Sequence, residues 1–195
     1  MAGRKLFCQY GPVCYRISLW KEGARKALAD RRCGVHWSTW RCEEELPVLL
    51  KGHRSPVLRR LTGVDMDLQR SKRTNLALAA ACIDGVVVAP GESFSFWRLV
   101  GKPTARKGYQ DGLTIASGNL GRGVGGGLCQ LANLIHYLVL HSPLTVTELH
   151  HHSDALFPDD RRRVPFGTGT SIFYPHVDYR FCNDTDQPVQ LRVWL

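Results

Sequence analysis

The sequence predicts an α+β fold in which a cysteine-bearing helix packs on a mainly antiparallel sheet. An apolar pattern that begins after Gly127 recurs at steps of three and four, which is typical of one face of a helix, and it ends at Pro143. A β-branched run, Leu144 to Thr147, follows and favours a strand. Residues 188–194 alternate apolar and polar side chains, as a closing strand does.

The chain is predicted to divide into a basic, mainly helical region of residues 1–68 and a domain of residues 69–195. Trp20 to Asp30 is expected to form an amphipathic helix in the first region. Residues 1–75 contain 16 Lys and Arg against 7 Asp and Glu, whereas the remaining residues contain 10 of each. The whole +9 excess therefore lies in the N-terminal part.

That basic excess has two interpretations: a plain solvated surface, or contact with the anionic inner face of a membrane. The sequence contains no nucleic-acid-binding motif, so we expect no nucleic-acid partner. It contains no apolar run of about 18 residues and no signal-peptide pattern at its start. We therefore expect a cytoplasmic protein, peripheral at the inner membrane face.

Seven cysteines and no secretory pattern predict reduced thiols. Cys8, Cys14, Cys33 and Cys42 cluster near the start, but their gaps do not match the usual zinc spacings. We therefore predict no metal and no other cofactor.

The most informative segment is the glycine run that leads into Cys129. A cysteine at a helix N-terminus meets unpaired N–H groups and the helix dipole, which lower a thiol pKa and favour the thiolate. The same N–H groups could hold an oxyanion. The alternative is a buried cysteine in a tight turn. The predicted substrate-binding residues are Gly125, Gly126, Gly127, Gln130 and Asn133.

A histidine-rich strand follows the helix. Alternate side chains of a strand share a face, so His150 and His152 are expected to point the same way beside Glu148. A further strand over residues 177–181 offers a carboxylate. A thiolate, a base and an orienting acid are the parts of nucleophilic acyl chemistry; a metal site and a plain surface run are the alternatives. We predict Cys129 as the nucleophile, His152 as the base and His150 as its substitute. Asp178 and Glu148 are the two candidate orienting acids.

The order of these elements, a cysteine helix, a histidine strand and a polar strand, is that of papain-like and cell-wall peptidase folds, which is an analogy of fold alone. His136 lies on the same face of the helix as Cys129 but about 10 Å along its axis. We therefore expect it to line the helix surface and not to act as the base.

A series of ordered motifs runs from about residue 70 to the C-terminus. They are the Ala-rich helix from Asn75 to Gly85, the segment Val86 to Phe96, Gly108-Tyr109, Gly118, the Gly125 to Gln130 core, Glu148-x-His150-x-His152-Ser153 and Asp178 to Thr185. Together they resemble the VanW family. The resemblance implies a link to glycopeptide resistance or peptidoglycan handling, with a peptidoglycan precursor or cell-wall peptide as partner.

The chain departs from the family pattern at two places. Many members carry Asp where this chain has Gly169, and Ser or Thr shortly after Cys-Gln, where it has Leu131-Ala132-Asn133. If that aspartate orients a catalytic histidine in relatives, Asp178 or Glu148 must serve here.

Two functions remain open from the sequence. The first is a cysteine-dependent amidase, peptidase or acyltransferase that acts on cell-wall peptides. The second is a non-enzymatic module that binds a peptidoglycan precursor or a partner resistance protein, in which the glycines and Cys129 only shape a pocket.

Overall fold

The computed structural model describes residues 5–58, 66–116, 119–151 and 169–195. These residues form an α+β fold with antiparallel sheets. The described helices are a short 3-10 helix Phe7–Tyr10, α1 Pro12–Arg32, α2 Met66–Ile83, α3 Phe96–Val100, a 3-10 turn Ala105–Lys107 and α4 Leu128–Val139. The described strands are β1 Val87–Val88, β2 Ser93–Ser95, β3 Asp111–Ala116, β4 Asn119–Val124, β5 Thr145–Glu148, β6 Arg180–Cys182 and β7 Val189–Gln190.

The strands pair in three antiparallel groups. Strands β2, β6 and β5 form a sheet with β6 in the middle, β1 pairs with β7, and β3 and β4 form a hairpin. Phe94 and Phe181 lie opposite each other in the β2–β6 register, and their rings stack with centroids 4.6 Å apart. Such a pair contributes stability beyond the apolar area that it buries.

The core lies between these strands and the helices α2 and α4. Helix α4 has apolar residues at helical spacing along its length, and α2 has them in its second half, so each has an apolar face to bury. Helix α4 buries Leu131, Ile135 and Val139, and α2 buries Leu76, Ala79 and Ile83. These faces join one hydrophobic cluster with the stacked phenylalanines of the sheet.

The N-terminal region is only partly helical. Helix α1 spans 21 residues, which is longer than the segment from Trp20 to Asp30 that the pattern predicted. Residues 36–42 instead run beside the strands, with backbone hydrogen bonds from Ser38 N–H to Ser93 O and from Val87 N–H to Trp40 O, both 3.0 Å. The predicted boundary near residue 68 lies within the first turn of α2, and residues 59–65 before it are outside the described residues.

Candidate functional site around Cys129

The glycine run forms a tight turn that is pressed against the hairpin and α2. Gly125 and Gly127 have φ of 81° and 93°, a conformation that glycine adopts without steric cost. A Cβ on Gly126 would lie 2.2 Å from the carbonyl carbon of Gly112 in β3, and a Cβ on Gly127 would lie 2.3 Å from Cγ of Lys72. The absence of side chains in this turn is therefore required by the packing of the chain on itself.

Asn75 of α2 holds the turn in place. Its Nδ2 donates to Gln110 O at 2.9 Å and to Gly126 O at 3.0 Å, and its Oδ1 accepts from Gln110 N–H at 2.8 Å. The side chain is completely buried, so breaking these bonds would leave polar groups without partners. Asn75 thus links the glycine turn, the start of β3 and α2.

Several backbone donors of the turn are already bonded within the chain. Gly125 N–H donates to Gln110 O, Gly126 N–H to Gly123 O and Gln130 N–H to Gly127 O, at 3.0 to 3.1 Å. Of these three, Gln130 N–H belongs to the predicted oxyanion site, the N–H groups from Gly127 to Gln130. In this conformation all three are committed to the turn and the first turn of α4.

Cys129 is the second residue of α4, and the segment before β6 lies against its thiol. Its Sγ donates to Ile172 O at 3.8 Å, and the side chain is partly buried. Burial raises the pKa of the Cys129 thiol, which is opposite to the shift that a helix N-terminus alone predicts. The thiol is therefore held in its neutral form in this structure.

The side chains of Gln130 and Asn133 are also engaged with the chain. Gln130 Nε2 donates to Pro56 O at 3.2 Å, and Asn133 Oδ1 accepts from Thr170 N–H. A Cβ on Gly169 would lie 2.7 Å from the Asn133 amide. Gly169 therefore fits directly against Asn133, and the segment 169–172 lies across the first turns of α4.

His150 and Glu148 form the imidazole–carboxylate pair that the strand pattern predicts as neighbours. His150 Nε2 lies 2.8 Å from Glu148 Oε1, and 42% of the His150 side chain is exposed. The backbone of His150 accepts a hydrogen bond from Ser171 N–H, next to the residue that contacts Cys129. Among the described residues, the hydrogen bonds of the Cys129 and His150 side chains run to Ile172 and Glu148 and do not join the two.

Glu148 has further partners that the sequence did not indicate. Lys26 Nζ of α1 lies 2.6 Å from its Oε1, and Asp178 N–H donates to the same oxygen at 3.0 Å. Burial alone would raise the pKa of Glu148, but the hydrogen bonds from Lys26, His150 and the Asp178 backbone outweigh it, and the net pKa is lowered. Glu148 is a stable carboxylate that joins α1 to the sheet.

Asp178 is buried and its two oxygens are saturated. Oδ1 accepts from the backbone N–H groups of Trp97 and Tyr179, and Oδ2 accepts from Ser95 Oγ and from Arg180 Nε at 2.9 Å. None of these described partners is a histidine. Asp178 ties the start of α3 to the entry of β6.

Arg180 extends this network to α1. Its two terminal nitrogens bond the two oxygens of Asp30 at 2.6 and 2.9 Å, a bidentate pair, and its guanidinium lies 4.8 Å from the ring centroid of Trp37. Local patterns could not reveal this contact because Asp30 and Arg180 are 150 residues apart.

His136 is buried. The expectation that it lines the surface of the helix is therefore wrong. Its Nδ1 lies 3.1 Å from the hydroxyl of Tyr179. Burial lowers the pKa of His136, and the nearby His151 lowers it further. His136 is thus a neutral core histidine with a hydroxyl partner. His152, the predicted base, lies outside the described residues.

A small cavity opens between α1 and the segment before β6. It has a volume of about 260 Å³. The Nδ1 atom of His176 is buried and has no partner among the described residues. The residues that line the cavity are Cys8, Tyr15, Ser18, Leu19, Glu22, Phe173 and His176. No local sequence pattern indicated this cavity, because its walls come from opposite ends of the chain.

Proteins with similar sequences indicate the family of this chain. The model of the family described as VanW like protein matches residues 71–195. The vancomycin B-type resistance protein VanW of Enterococcus faecalis is 39% identical over 153 residues, which cover 78% of this chain and 56% of that protein.

A second relative is the Bacillus subtilis protein YoaR, which is described as uncharacterized. It is 34% identical over 123 residues, which cover 63% of this chain and 39% of that protein. The chain thus spans about half the length, or less, of the curated relatives it matches. No solved structure matches the chain.

Proposed function

The chain belongs to the VanW-like protein family, and from this premise we propose that it is an accessory protein of glycopeptide resistance. In this proposal the VanW-like domain binds a peptidoglycan precursor and does not cleave it. The 39% identity with a protein named for vancomycin resistance supports the role in glycopeptide resistance. The raised pKa of the Cys129 thiol and its hydrogen bond to Ile172 O support binding rather than catalysis.

The main observation in support of binding without cleavage is the hydrogen bond from the Cys129 thiol to Ile172 O. A nucleophilic cysteine needs an accessible thiolate and a base within about 3.2 Å. Here burial raises the thiol pKa, the thiol donates to a carbonyl and the segment 169–172 covers it. The Gln130 side chain and the N–H groups of Gly125, Gly126 and Gln130 have partners within the chain. Each of these contacts suits a cysteine that packs α4 against a neighbouring segment.

The test replaces the thiol and measures binding and resistance together. Cys129→Ala keeps helix propensity, so we expect a folded protein that retains glycopeptide resistance in a susceptible host. We also expect its affinity for a soluble muramyl pentapeptide, measured by calorimetry, to stay within about threefold of wild type, a difference of about 0.7 kcal/mol. Cys182→Ala serves as the matched control. A folded Cys129→Ala protein without resistance would refute the binding function.

The hydrogen bond between His150 and Glu148 favours a second candidate, a cysteine-dependent amidase, peptidase or acyltransferase. A carboxylate that orients a half-exposed imidazole is a component of such sites. The reaction would require the segment 169–172 to move away from Cys129, and His152 or His150 to reach the thiol.

Mass spectrometry of the incubated pentapeptide separates the two candidates. An enzyme yields a cleaved or transferred product that disappears in both Cys129→Ala and His150→Gln, since members of a catalytic unit act non-additively. His141→Gln, an exposed histidine bonded to Tyr137 O, is the control. Absence of product from the wild type excludes the enzymatic candidate for this peptide.

A further inference from the structure

Helix α1 has one face that is fixed to the rest of the molecule. Gly23, Lys26 and Asp30 recur at steps of three and four and so share a side of the helix. Lys26 and Asp30 form the ion pairs with β5 and β6 described above, and a Cβ on Gly23 would lie 3.0 Å from the Pro175 ring. These contacts hold α1 in one orientation.

The opposite face of α1 is apolar and exposed. Its side chains recur at steps of four and three, which places them in one stripe. The exposed fraction is 67% for Val13 and 75% for Trp20. We define the outer face of α1 as this stripe of Val13, Ile17, Trp20, Ala24 and Leu28, all of which are exposed.

Basic side chains lie beside and at the end of the outer face. In the helical projection Arg16 lies on one border, Lys21, Arg25 and Arg32 lie on the other, and Arg31 follows the stripe. Glu22 forms a surface pair with Arg25, and the second acid of α1, Asp30, faces the sheet. The basic residues Arg16, Lys21, Arg25, Arg31 and Arg32 are all exposed.

We propose that the outer face of α1 docks on an anionic lipid surface. The apolar stripe would enter the boundary between headgroups and acyl chains, and the flanking arginines and lysine would contact lipid phosphates with their long side chains. An apolar stripe bordered by like charges is the pattern of a helix that lies in a membrane interface. This proposal holds whether the domain binds or cleaves its peptide.

Charge and geometry favour lipid over the other occupants of such a face. A nucleic acid would use the basic residues but would not require an exposed aliphatic stripe. A second copy of the chain would bring the same positive borders together, and like charges repel. An anionic bilayer satisfies both the apolar stripe and its basic borders. None of the described helices is long and apolar enough to cross a bilayer.

The experiment measures flotation of the full chain with lipid vesicles. We expect binding to phosphatidylcholine vesicles that contain 30% phosphatidylglycerol, little binding to phosphatidylcholine alone, and a decrease as salt rises. The double variant Ile17→Asn/Trp20→Ser should reduce the partition coefficient at least tenfold. The charge reversal Arg16→Glu/Lys21→Glu should do the same.

Matched controls distinguish the effect of the outer face of α1 from a general loss of surface hydrophobicity or positive charge. Trp194→Ser removes a tryptophan that is 72% exposed outside α1, and Lys102→Glu/Arg106→Glu gives the same net charge as the α1 reversal. Both should bind as wild type does, and thermal melts should verify that every variant is folded. Brominated acyl chains should quench fluorescence in wild type and in Trp194→Phe, and much less in Trp20→Phe.

Three results would overturn the proposal. One is the absence of flotation with anionic vesicles, and another is equal binding by the α1 variants and their controls. The third is concentration-dependent self-association in ultracentrifugation that Trp20→Ser abolishes, because it would identify a second copy as the occupant.

Discussion

The ammonium group of Lys26 in α1 lies 2.6 Å from Oε1 of Glu148 at the end of β5, and this same oxygen contacts the His150 ring and the Asp178 N–H. Both side chains of the ion pair are more than four-fifths buried. A pair in this setting is weakened less by solvent than a surface pair. It therefore fixes α1 on the sheet and keeps Glu148 ionised.

The first prediction concerns acid stability through Glu148. Because its folded-state pKa is lowered from about 4.5, it stabilises the folded state above pH 4.5, and this stabilisation is lost as the pH falls through the folded pKa. Lys26→Ala should cost about 1–3 kcal/mol near neutral pH and should lose less additional stability between pH 5 and pH 3. Melting temperatures of wild type and variant over this pH range measure the loss of stability. If Lys26→Ala has the same pH profile as wild type, the prediction is wrong. Lys21→Ala, on the exposed side of α1, is the control.

The second prediction concerns the reactivity of the cysteines. Brief iodoacetamide treatment at neutral pH should label Cys129 more slowly than the exposed Cys33, because burial raises the Cys129 pKa and the segment 169–172 covers the thiol. Mass spectrometry of the peptides ranks the rates. If Cys129 is labelled first, the segment opens readily in solution and the catalytic candidate regains support.

The third prediction concerns the glycine turn. Gly126→Ala should cost more than about 3 kcal/mol because its Cβ would overlap the backbone of Gly112. Gly91→Ala is a matched control, since φ is 78° and nothing lies within 4 Å of its Cβ, and it should cost only about 1–2 kcal/mol. Urea unfolding of the two variants gives both values. Similar costs would mean that the turn is not packed as described.

The fourth prediction concerns the buried carboxylate of Asp178. Asp178→Ala should cost about 3–5 kcal/mol, because it removes the acceptor of four hydrogen bonds and leaves Arg180 with a weaker ion pairing. The exposed Asp186→Ala should change the free energy of unfolding by less than about 0.5 kcal/mol. Urea unfolding measures both. A stable Asp178→Ala protein that loses only function would instead place Asp178 in the chemistry.

The sequence predicted several elements of the fold correctly. The apolar spacing after Gly127 identified α4, the β-branched residues before Glu148 identified β5, and the Ala-rich segment after Asn75 identified part of α2. These features are local, because periodicity and turn residues act over a few neighbouring positions. Strand alternation also predicted Glu148 and His150 as neighbours, and they lie 2.8 Å apart, but β5 ends at Glu148 and His150 follows it outside the strand.

The environments of the candidate residues depended on contacts between distant parts of the chain. A helix N-terminus by itself lowers the pKa of a thiol, but residue 172 covers Cys129, and desolvation then has the larger effect. The pattern that made the three glycines a candidate substrate site does not reveal that Gly112 and Lys72 fill the space beside them.

By itself, then, the sequence determined the α+β class, the glycine turn before α4 and the membership of the family, because these depend on local spacing and ordered motifs. Tertiary structure alone decided that Cys129 is a covered thiol, that Asp178 is a saturated buried acid and that the apolar stripe of α1 faces outward. Burial and ion pairing are set by whichever residues fold against a side chain, and those partners lie up to 150 positions away.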